Sequence, residues 1–323
     1  MNKFEQLGLS ESLLKAILDL GFENPTEVQE KAIPLLLEKD TDLVALAQTG
    51  TGKTAAFGFP VIQKIDANNR NTQALILSPT RELCLQITNE LKNYSKYEKG
   101  INVVAVYGGA SITEQARDIK RGAQIIVATP GRMQDMINRG LVNISQINYC
   151  ILDEADEMLN MGFYEDIVNI LSTTPDEKST WLFSATMPGQ IVSLARKYQN
   201  KPVHIRVNDP DEGHTKADIK QFFYRAHSLD KDEVVARILQ AEGRGKTVIF
   251  TKTKRQAAKV SEELVDRGFK ATALHGDMSQ EARERSMDAF RSGKKDILVA
   301  TEVAARGIDV DNVTHVINYE CPD

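Results

Sequence analysis

The stretch Leu43-Val-Ala-Leu-Ala-Gln-Thr-Gly-Thr-Gly-Lys-Thr54 decides the fold. Leu43–Leu46 reads as a short apolar strand, residues 47–52 as a glycine-rich loop, and a helix-like stretch follows. That order makes a phosphate cradle. Gly50 and Gly52 let backbone N–H groups turn inward, and the helix N-terminus favours an anion. Lys53 can reach β- and γ-phosphates, and Thr54 can offer its hydroxyl to Mg²⁺. The strict pattern has Gly where this chain has Ala47, so the strand–loop–helix context carries the reading.

Working outward, the same alternation runs through the chain. Strands are expected at Leu43–Leu46, Ala74–Leu77, Val103–Val106, Ile125–Ala128, Tyr149–Leu152, Trp181–Phe183, Val248–Phe250, Ile297–Ala300 and Val313–Asn318. Most lead into a turn and a helix-like segment, the pattern of βαβ units and an α/β fold with parallel sheets. The first helix is capped by Ser10, presents Leu13, Leu14, Ile17 and Leu18 as an apolar stripe, and stops at Gly21.

Two copies of one fold are expected. Ile125-Ile-Val-Ala-Thr129 echoes Ile297-Leu-Val-Ala-Thr301, Leu75–Thr80 echoes Val248–Thr253, and Tyr107-Gly-Gly109 has a counterpart in His275-Gly-Asp277. All three pairs lie about 170 residues apart, a near-constant separation. The polar run from Asn208 to Lys216 separates the copies. The domains expected are 1–207, a linker at 208–217, and 218–323. The second copy is expected to be incomplete, because it has no counterpart to the residues that follow Asp153 and its neighbours in the first.

The chain has 323 residues, about two domains' worth. Its hydrophobic content of 41% and charged content of 26% fit a globular protein and exclude a disordered chain or coiled coil. No apolar run is long enough to span a membrane. Cys84, Cys150 and Cys321 are widely spaced, forming neither a disulfide framework nor a zinc pattern, which suits a reducing cytoplasm. A net charge of −5 excludes a strongly basic nucleic-acid binder but leaves room for a local basic groove.

Tyr149-Cys-Ile-Leu-Asp-Glu-Ala-Asp156 is an apolar strand ending in carboxylates. Asp153 can hold Mg²⁺ and Glu154 can polarise an attacking water. Carboxylates also favour helix N-termini, so the run has a purely structural reading too. Ser184 and Thr186 follow the Trp181–Phe183 strand, placed either to bridge to these carboxylates or to cap a helix before Pro188. Gly243-Arg-Gly-Lys-Thr247 contains another Gly-Lys-Thr, but it precedes its strand and reads as a turn.

Taken together, Ala47–Thr54, Asp153-Glu-Ala-Asp156 and Ser184-Ala-Thr186 resemble the DEAD-box family of ATP-dependent RNA helicases. The likeness continues in Pro79-Thr-Arg-Glu-Leu83, Gly108-Gly109, Thr129-Pro-Gly-Arg132, Gln280-Glu-Ala-Arg283 and Ala300–Asp309, and so covers essentially the whole chain. It implies two RecA-like domains of the P-loop NTPase class that close over ATP and single-stranded RNA, and local melting of short RNA duplexes. It implies nucleotide contacts from Phe4, Phe22, Thr26, Gln29, Gln48, Thr49, Gly50, Thr51, Gly52, Lys53, Thr54, Gly307 and Asp309. Phe4 would stack on the adenine ring and Gln29 would read its edge. From the residues alone, Thr26-x-x-Gln29 is equally a helix capping box and Phe4 a frayed terminal aromatic. The catalytic set implied is Lys53, Asp153, Glu154, Ser184 and Thr186, with Thr54 and Asp153 on the metal.

RNA contacts are implied at Pro79, Thr80, Arg81, Gly108, Gly109, Thr129, Pro130, Gly131 and Arg132, continued by His275, Gly276 and Thr301. Hydroxyls, glycine amides and guanidinium groups suit phosphate and sugar rather than base reading. With aromatics at 6%, no base-stacking platform is expected, so binding should be sequence-independent. Two departures stand out: Glu302 replaces the family's usual Asp, and the family's last motif, with its arginine, is absent. The alternative expectation is therefore a nucleotide-gated RNA clamp with little turnover. A GTPase reading fails because Asn200-Lys201 continues Pro-Val, and Asp156 stands where many DNA helicases have His.

Overall fold

The computed structural model describes residues 3–207, 220–226, 230–243, 245–301, 304, 310 and 312–320. Residues 1–214 and 215–323 form separate compact units. The expected linker, Glu302, Gly307, Asp309 and Cys321 lie outside the described residues.

The first unit has strands β1 Leu43–Leu46, β2 Ala74–Leu77, β3 Val103–Val106, β4 Ile125–Ala128, β5 Tyr149–Leu152, β6 Ser179–Ser184 and β7 Val203–Arg206. They form one sheet in the order β3-β4-β2-β5-β6-β1-β7, every pair parallel. Its helices are α1 Glu11–Asp19, α2 Glu27–Glu38, α3 Lys53–Lys64, α4 Arg81–Tyr94, α5 Ile112–Lys120, α6 Pro130–Asn138, α7 Ala155–Asn160, α8 Tyr164–Ser172 and α9 Gly189–Tyr198. Successive strand residues point to opposite faces. Ala74 and Ile76 join a core with α1 to α4, while Leu75 and Leu77 join a second core with α6 to α9. Both faces are thus covered, which is why the strands read as continuous apolar runs.

The second unit has β8 Lys246–Thr251, β9 Ala271–Leu274, β10 Ile297–Thr301 and β11 Val313–Asn318, with helices α10 Lys231–Glu242, α11 Lys254–Asp266 and α12 Gln280–Arg291. Its sheet order is β11-β8-β10-β9. Read as β9-β10-β8-β11, this is β3-β4-β2-β5 again. The register agrees as well, apart from a shift between Val313 and His315 of β11. Val104 pairs Ile126 and Ile126 pairs Leu75, which pairs Cys150; correspondingly, Thr272 pairs Leu298 and Leu298 pairs Val248, which pairs Val316.

Four details differ from expectation. β7 and β9 were not anticipated. β6, β8 and β10 extend past their apolar centres. Leu18 does not complete the α1 stripe but is 64% exposed, and Leu13, Ala16 and Ile17 carry the packing. Lys246 and Thr247 of the second Gly-Lys-Thr lie inside β8.

Candidate nucleotide and RNA site

In a parallel sheet all C-terminal strand ends fall on one edge, where ligands of open α/β sheets bind. In the first unit that edge carries residues 47–53 after β1, 78–80 after β2, 107–110 after β3, 129 after β4, 153–154 after β5 and 185–188 after β6. Sheet order then divides it. The loops of β1 and β5 flank β6, whereas those of β3, β4 and β2 form a second group on the other side of β5.

In the first group Gly52 caps α3 in the left-handed conformation, φ +88°. A Cβ there would lie 2.3 Å from Gln29 Nε2 and 3.0 Å from Thr26 Oγ1, so a side chain is excluded both by backbone and by space. Gln29 explains the crowding. Its Oε1 accepts from the Thr26 amide at 3.0 Å, and its Nε2 donates to the Gly52 carbonyl at 3.1 Å. The capping box is therefore formed, and it also ties α2 to the phosphate loop. Thr51 Oγ1 donates to the Gln48 carbonyl at 2.7 Å, tightening the loop, while Gln48, Thr49 and Gly50 are exposed.

Lys53 is the first residue of α3 and only 6% exposed. Its Nζ lies 3.9 Å from Asp153 Oδ1 and has no hydrogen-bond partner among the described residues. A buried ammonium left this way costs free energy, several kcal/mol on the scale of buried ions. Asp153 is buried at the end of β5, and burial raises its pKa despite Lys53. Glu154 follows at φ +50°, a left-handed turn that costs a non-glycine residue about 1–3 kcal/mol and is typical of functional sites. Burial, then the neighbouring Asp153 charge, pushes the Glu154 carboxyl up to about 7. Thr49 Oγ1 donates to Glu154 Oε1 at 3.4 Å. Two buried carboxylates thus face one ammonium, which itself lacks an acceptor. An anion at Lys53 and a cation at Asp153 would satisfy both shortfalls, so the residues fit a polyphosphate with its divalent ion. Among the described residues no three His, Cys, Asp or Glu side chains cluster as a metal site.

Ser184 ends β6 and does not cap α9, whose N-cap is Pro188. Its Oγ accepts from the Asp156 amide at 3.2 Å and donates to the Thr186 carbonyl at 2.7 Å. Thr186 donates to Asp156 Oδ2 through its hydroxyl at 2.7 Å and its amide at 2.8 Å. The bridge reaches Asp156 on α7 rather than the carboxylates at the end of β5. Burial alone would raise Asp156, but the hydrogen bonds led by the Thr186 hydroxyl outweigh it and lower the pKa. This link joins the β5 and β6 loops.

Phe4 corrects an expectation. It is 1% exposed, with Phe22 stacked at 6.4 Å between centroids and Phe59 edge-on at 6.3 Å. A ring covered in this way does not fit the role of a platform for adenine. Phe22, half-buried, is the aromatic of that pair that reaches the surface.

In the second group the Gly108-Gly109 loop is exposed and held from two sides. The Arg81 guanidinium lies over the Tyr107 ring at 4.3 Å. Arg132 Nη1 donates to the Ala110 carbonyl at 3.0 Å and to Gln115 Oε1 at 3.1 Å, and Gln115 Nε2 donates to the Tyr107 carbonyl at 3.1 Å. Tyr107 and Gln115 were not among the expected site residues; no local spacing signals them. Pro79, Thr80 and Pro130 are buried and shape the rim rather than present side chains to solvent, and the Thr80 hydroxyl caps α4 by accepting from the Leu83 amide at 3.2 Å. Thr129 is half-buried at the start of α6 and makes no cap hydrogen bond with its side chain, while Gly131 is exposed. In the second unit His275 and Gly276 follow β9, and Thr301 ends β10, at the register positions of Tyr107, Gly108 and Thr129.

Residues 26–194 match the DEAD/DEAH box helicase family and residues 230–323 the helicase conserved C-terminal domain. The chain is 46% identical over 320 residues to an ATP-dependent RNA helicase CshA of Limosilactobacillus reuteri, covering 99% of this chain and 64% of the relative. It is 43% identical to a DEAD-box ATP-dependent RNA helicase CshA of Geobacillus kaustophilus, covering 100% of this chain and 68% of that one. Of the Listeria monocytogenes relative, at 47% identity, it spans 61% of the length. Among solved structures, S. cerevisiae Dbp5 bound to RNA and ADP BeF3 superposes with a TM-score of 0.89 at 31% identity, over 100% of this chain and 81% of that one.

Proposed function

Since the chain belongs to the DEAD/DEAH box helicase family, we propose that it is an ATP-dependent RNA helicase, binding ATP·Mg²⁺ at the β1, β5 and β6 loops and RNA backbone at the β3, β4 and β2 loops. The observation that carries this reading is the buried Lys53 ammonium, 3.9 Å from Asp153 and without a hydrogen-bond acceptor among the described residues, beside two carboxylates it cannot balance.

Lys53 binds the β- and γ-phosphates, and the loop amides around Gly50 and Gly52 orient them. Thr54 and Asp153 are the residues that hold Mg²⁺, which supplies charge neutralisation on the phosphates. Glu154 takes a proton from the attacking water, and its pKa of about 7 suits a base working near neutral pH. Phe22 and Gln29 contact the adenine, Gln29 through the amide hydrogen left free by its bond to Gly52. The Asp156–Thr186 link transmits changes at the phosphates to the β6 loop. Arg81, Gly108, Gly109, Thr129, Gly131 and Arg132 of the first unit bind RNA phosphate and sugar, and His275, Gly276 and Thr301 of the second unit make contacts of the same kind. The RNA is read without regard to sequence.

The test is strand separation of a short RNA duplex. ATP should support it, ADP should not, and Glu154→Gln should abolish it. Separation of the same amount with ADP, or equal action on a DNA duplex, would refute the assignment.

A further inference from the structure

The edge of the first sheet opposite the candidate site carries a groove of about 780 Å³. It is formed by residues that precede strands: Arg70 and Thr72 before β2, Lys120 to Gly122 before β4, and Gly140 to Asn143 on the way to β5. Four cations line it, Arg70, Arg117, Lys120 and Arg121, and no carboxylate does. In a chain with net charge −5 this is a local reversal of sign. Arg121 pairs with Asp118 at 3.3 Å, both groups exposed, so that pair is weak. Arg70, Arg117 and Lys120 are exposed and have no ion pair among the described residues. Charges of one sign gathered in a concavity reinforce each other's field and attract the opposite sign.

The floor says what kind of anion fits. Ile119 and Val142 are half-buried in it and Leu141 is 36% exposed. The lining contains no aromatic residue. A nucleic-acid backbone would engage the cations but leave these aliphatic side chains without an apolar partner. Aliphatic side chains with cations at the rim suit a peptide that carries carboxylates beside leucine-like residues. We propose that this groove is a docking site for an acidic, aliphatic peptide segment of a partner protein, on the side of the first unit away from the nucleotide and RNA loops.

The position makes the site separable from catalysis. Its residues are not among those that meet nucleotide or RNA in the reading above, and its failure would leave that reading untouched.

The test uses fluorescence anisotropy with the full chain and three labelled probes: a short peptide alternating Glu with Leu, a poly-glutamate peptide of the same charge, and an oligouridine of the same charge. The Glu-Leu peptide should bind more tightly than poly-glutamate. Arg117→Glu with Lys120→Glu should weaken it about tenfold or more, since each reversal turns an attraction at the rim into a repulsion. Leu141→Ser should weaken it by about threefold, the smaller effect of one half-exposed aliphatic group. All these positions are exposed, and an unchanged thermal midpoint would show that the variants fold. RNA-stimulated ATP turnover should be the same in all of them. Absence of peptide binding, equal binding of poly-glutamate, or peptide binding indifferent to the charge reversals would each overturn the proposal. Loss of oligouridine binding in the charge-reversal variant, with the peptide not bound, would replace it with an RNA site.

Discussion

The two units share four strands in one order and one register, yet they differ in what flanks those strands. In the first, β5 is covered on both sides by β2 and β6, and all four of its residues are buried. In the second, its counterpart β11 is the last strand of the sheet among the described residues, and Val316 at the register of Cys150 is 60% exposed. Among the described residues the phosphate loop and the Asp153-Glu154 strand end belong to the first unit. A common scaffold thus places loops at the same sheet edge in both units, while the residues of those loops decide the chemistry.

The largest effect separates the two Gly-Lys-Thr runs. Lys53→Ala should lower ATP turnover by about 10²–10³-fold, as loss of one charge-stabilising donor does. Lys246→Ala should leave turnover unchanged, because Lys246 sits within β8 and donates to the Arg291 carbonyl at 3.0 Å. Phosphate release checks both. Equal losses would break the division of labour.

Next comes packing at the matched strands. Ile151→Ala should cost about 3–4 kcal/mol in denaturant unfolding of the first unit, since the residue is fully buried. Ile317→Ala, its half-buried counterpart, should cost about 1 kcal/mol. Similar costs would mean that β11 is not an edge.

Carboxylates two residues apart, Glu154 and Asp156, should show opposite pH behaviour. The Glu154 pKa is raised, so its charge opposes folding once ionised; stability is lost as pH rises from the ordinary carboxylate range through about 7. Glu154→Gln should remove that loss, up to about 3 kcal/mol at pH 8, in the nucleotide-free chain. Asp156 is lowered, so its contribution is present above the ordinary range and lost as pH falls through the lowered value. Asp156→Asn should erase that acid-side loss. Thermal midpoints across pH measure both.

The smallest effect is a symmetry. Thr80 and Thr253 cap the equivalent helices α4 and α11 with hydroxyls 3.2 Å from the Leu83 and Gln256 amides. Alanine at either should cost about 1 kcal/mol of stability. A Thr80→Ala variant that kept full stability but lost RNA binding would give that hydroxyl a direct contact instead.

Much of this was legible in sequence because short apolar runs between turn signals declare strands, whether covered on both faces, as β2, β4 and β5 are, or at an edge, as β3 and β11 are; β1 to β5 and β11 match their expected bounds. β7 was hidden because its sequence, Val-His-Ile-Arg, is mostly exposed at a sheet edge. β9 was hidden because Ala-Thr-Ala-Leu carries little apolar bulk. At the site, contiguous residues such as 47–54 and 153–156 declared themselves through spacing. The brace of Arg81, Tyr107, Gln115 and Arg132 did not, since folding alone brings its members together. Phe4 was misjudged because an aromatic near a chain end gives no sign of whether the core will take it.

The central claim is that the first unit's β1 and β5 loops hydrolyse ATP in response to RNA at the β3, β4 and β2 loops. Steady-state phosphate release with and without single-stranded RNA, for the native sequence and for Glu154→Gln, tests it most directly. The account predicts turnover stimulated by RNA and lost in Glu154→Gln. Turnover indifferent to RNA, or surviving in Glu154→Gln, would contradict it.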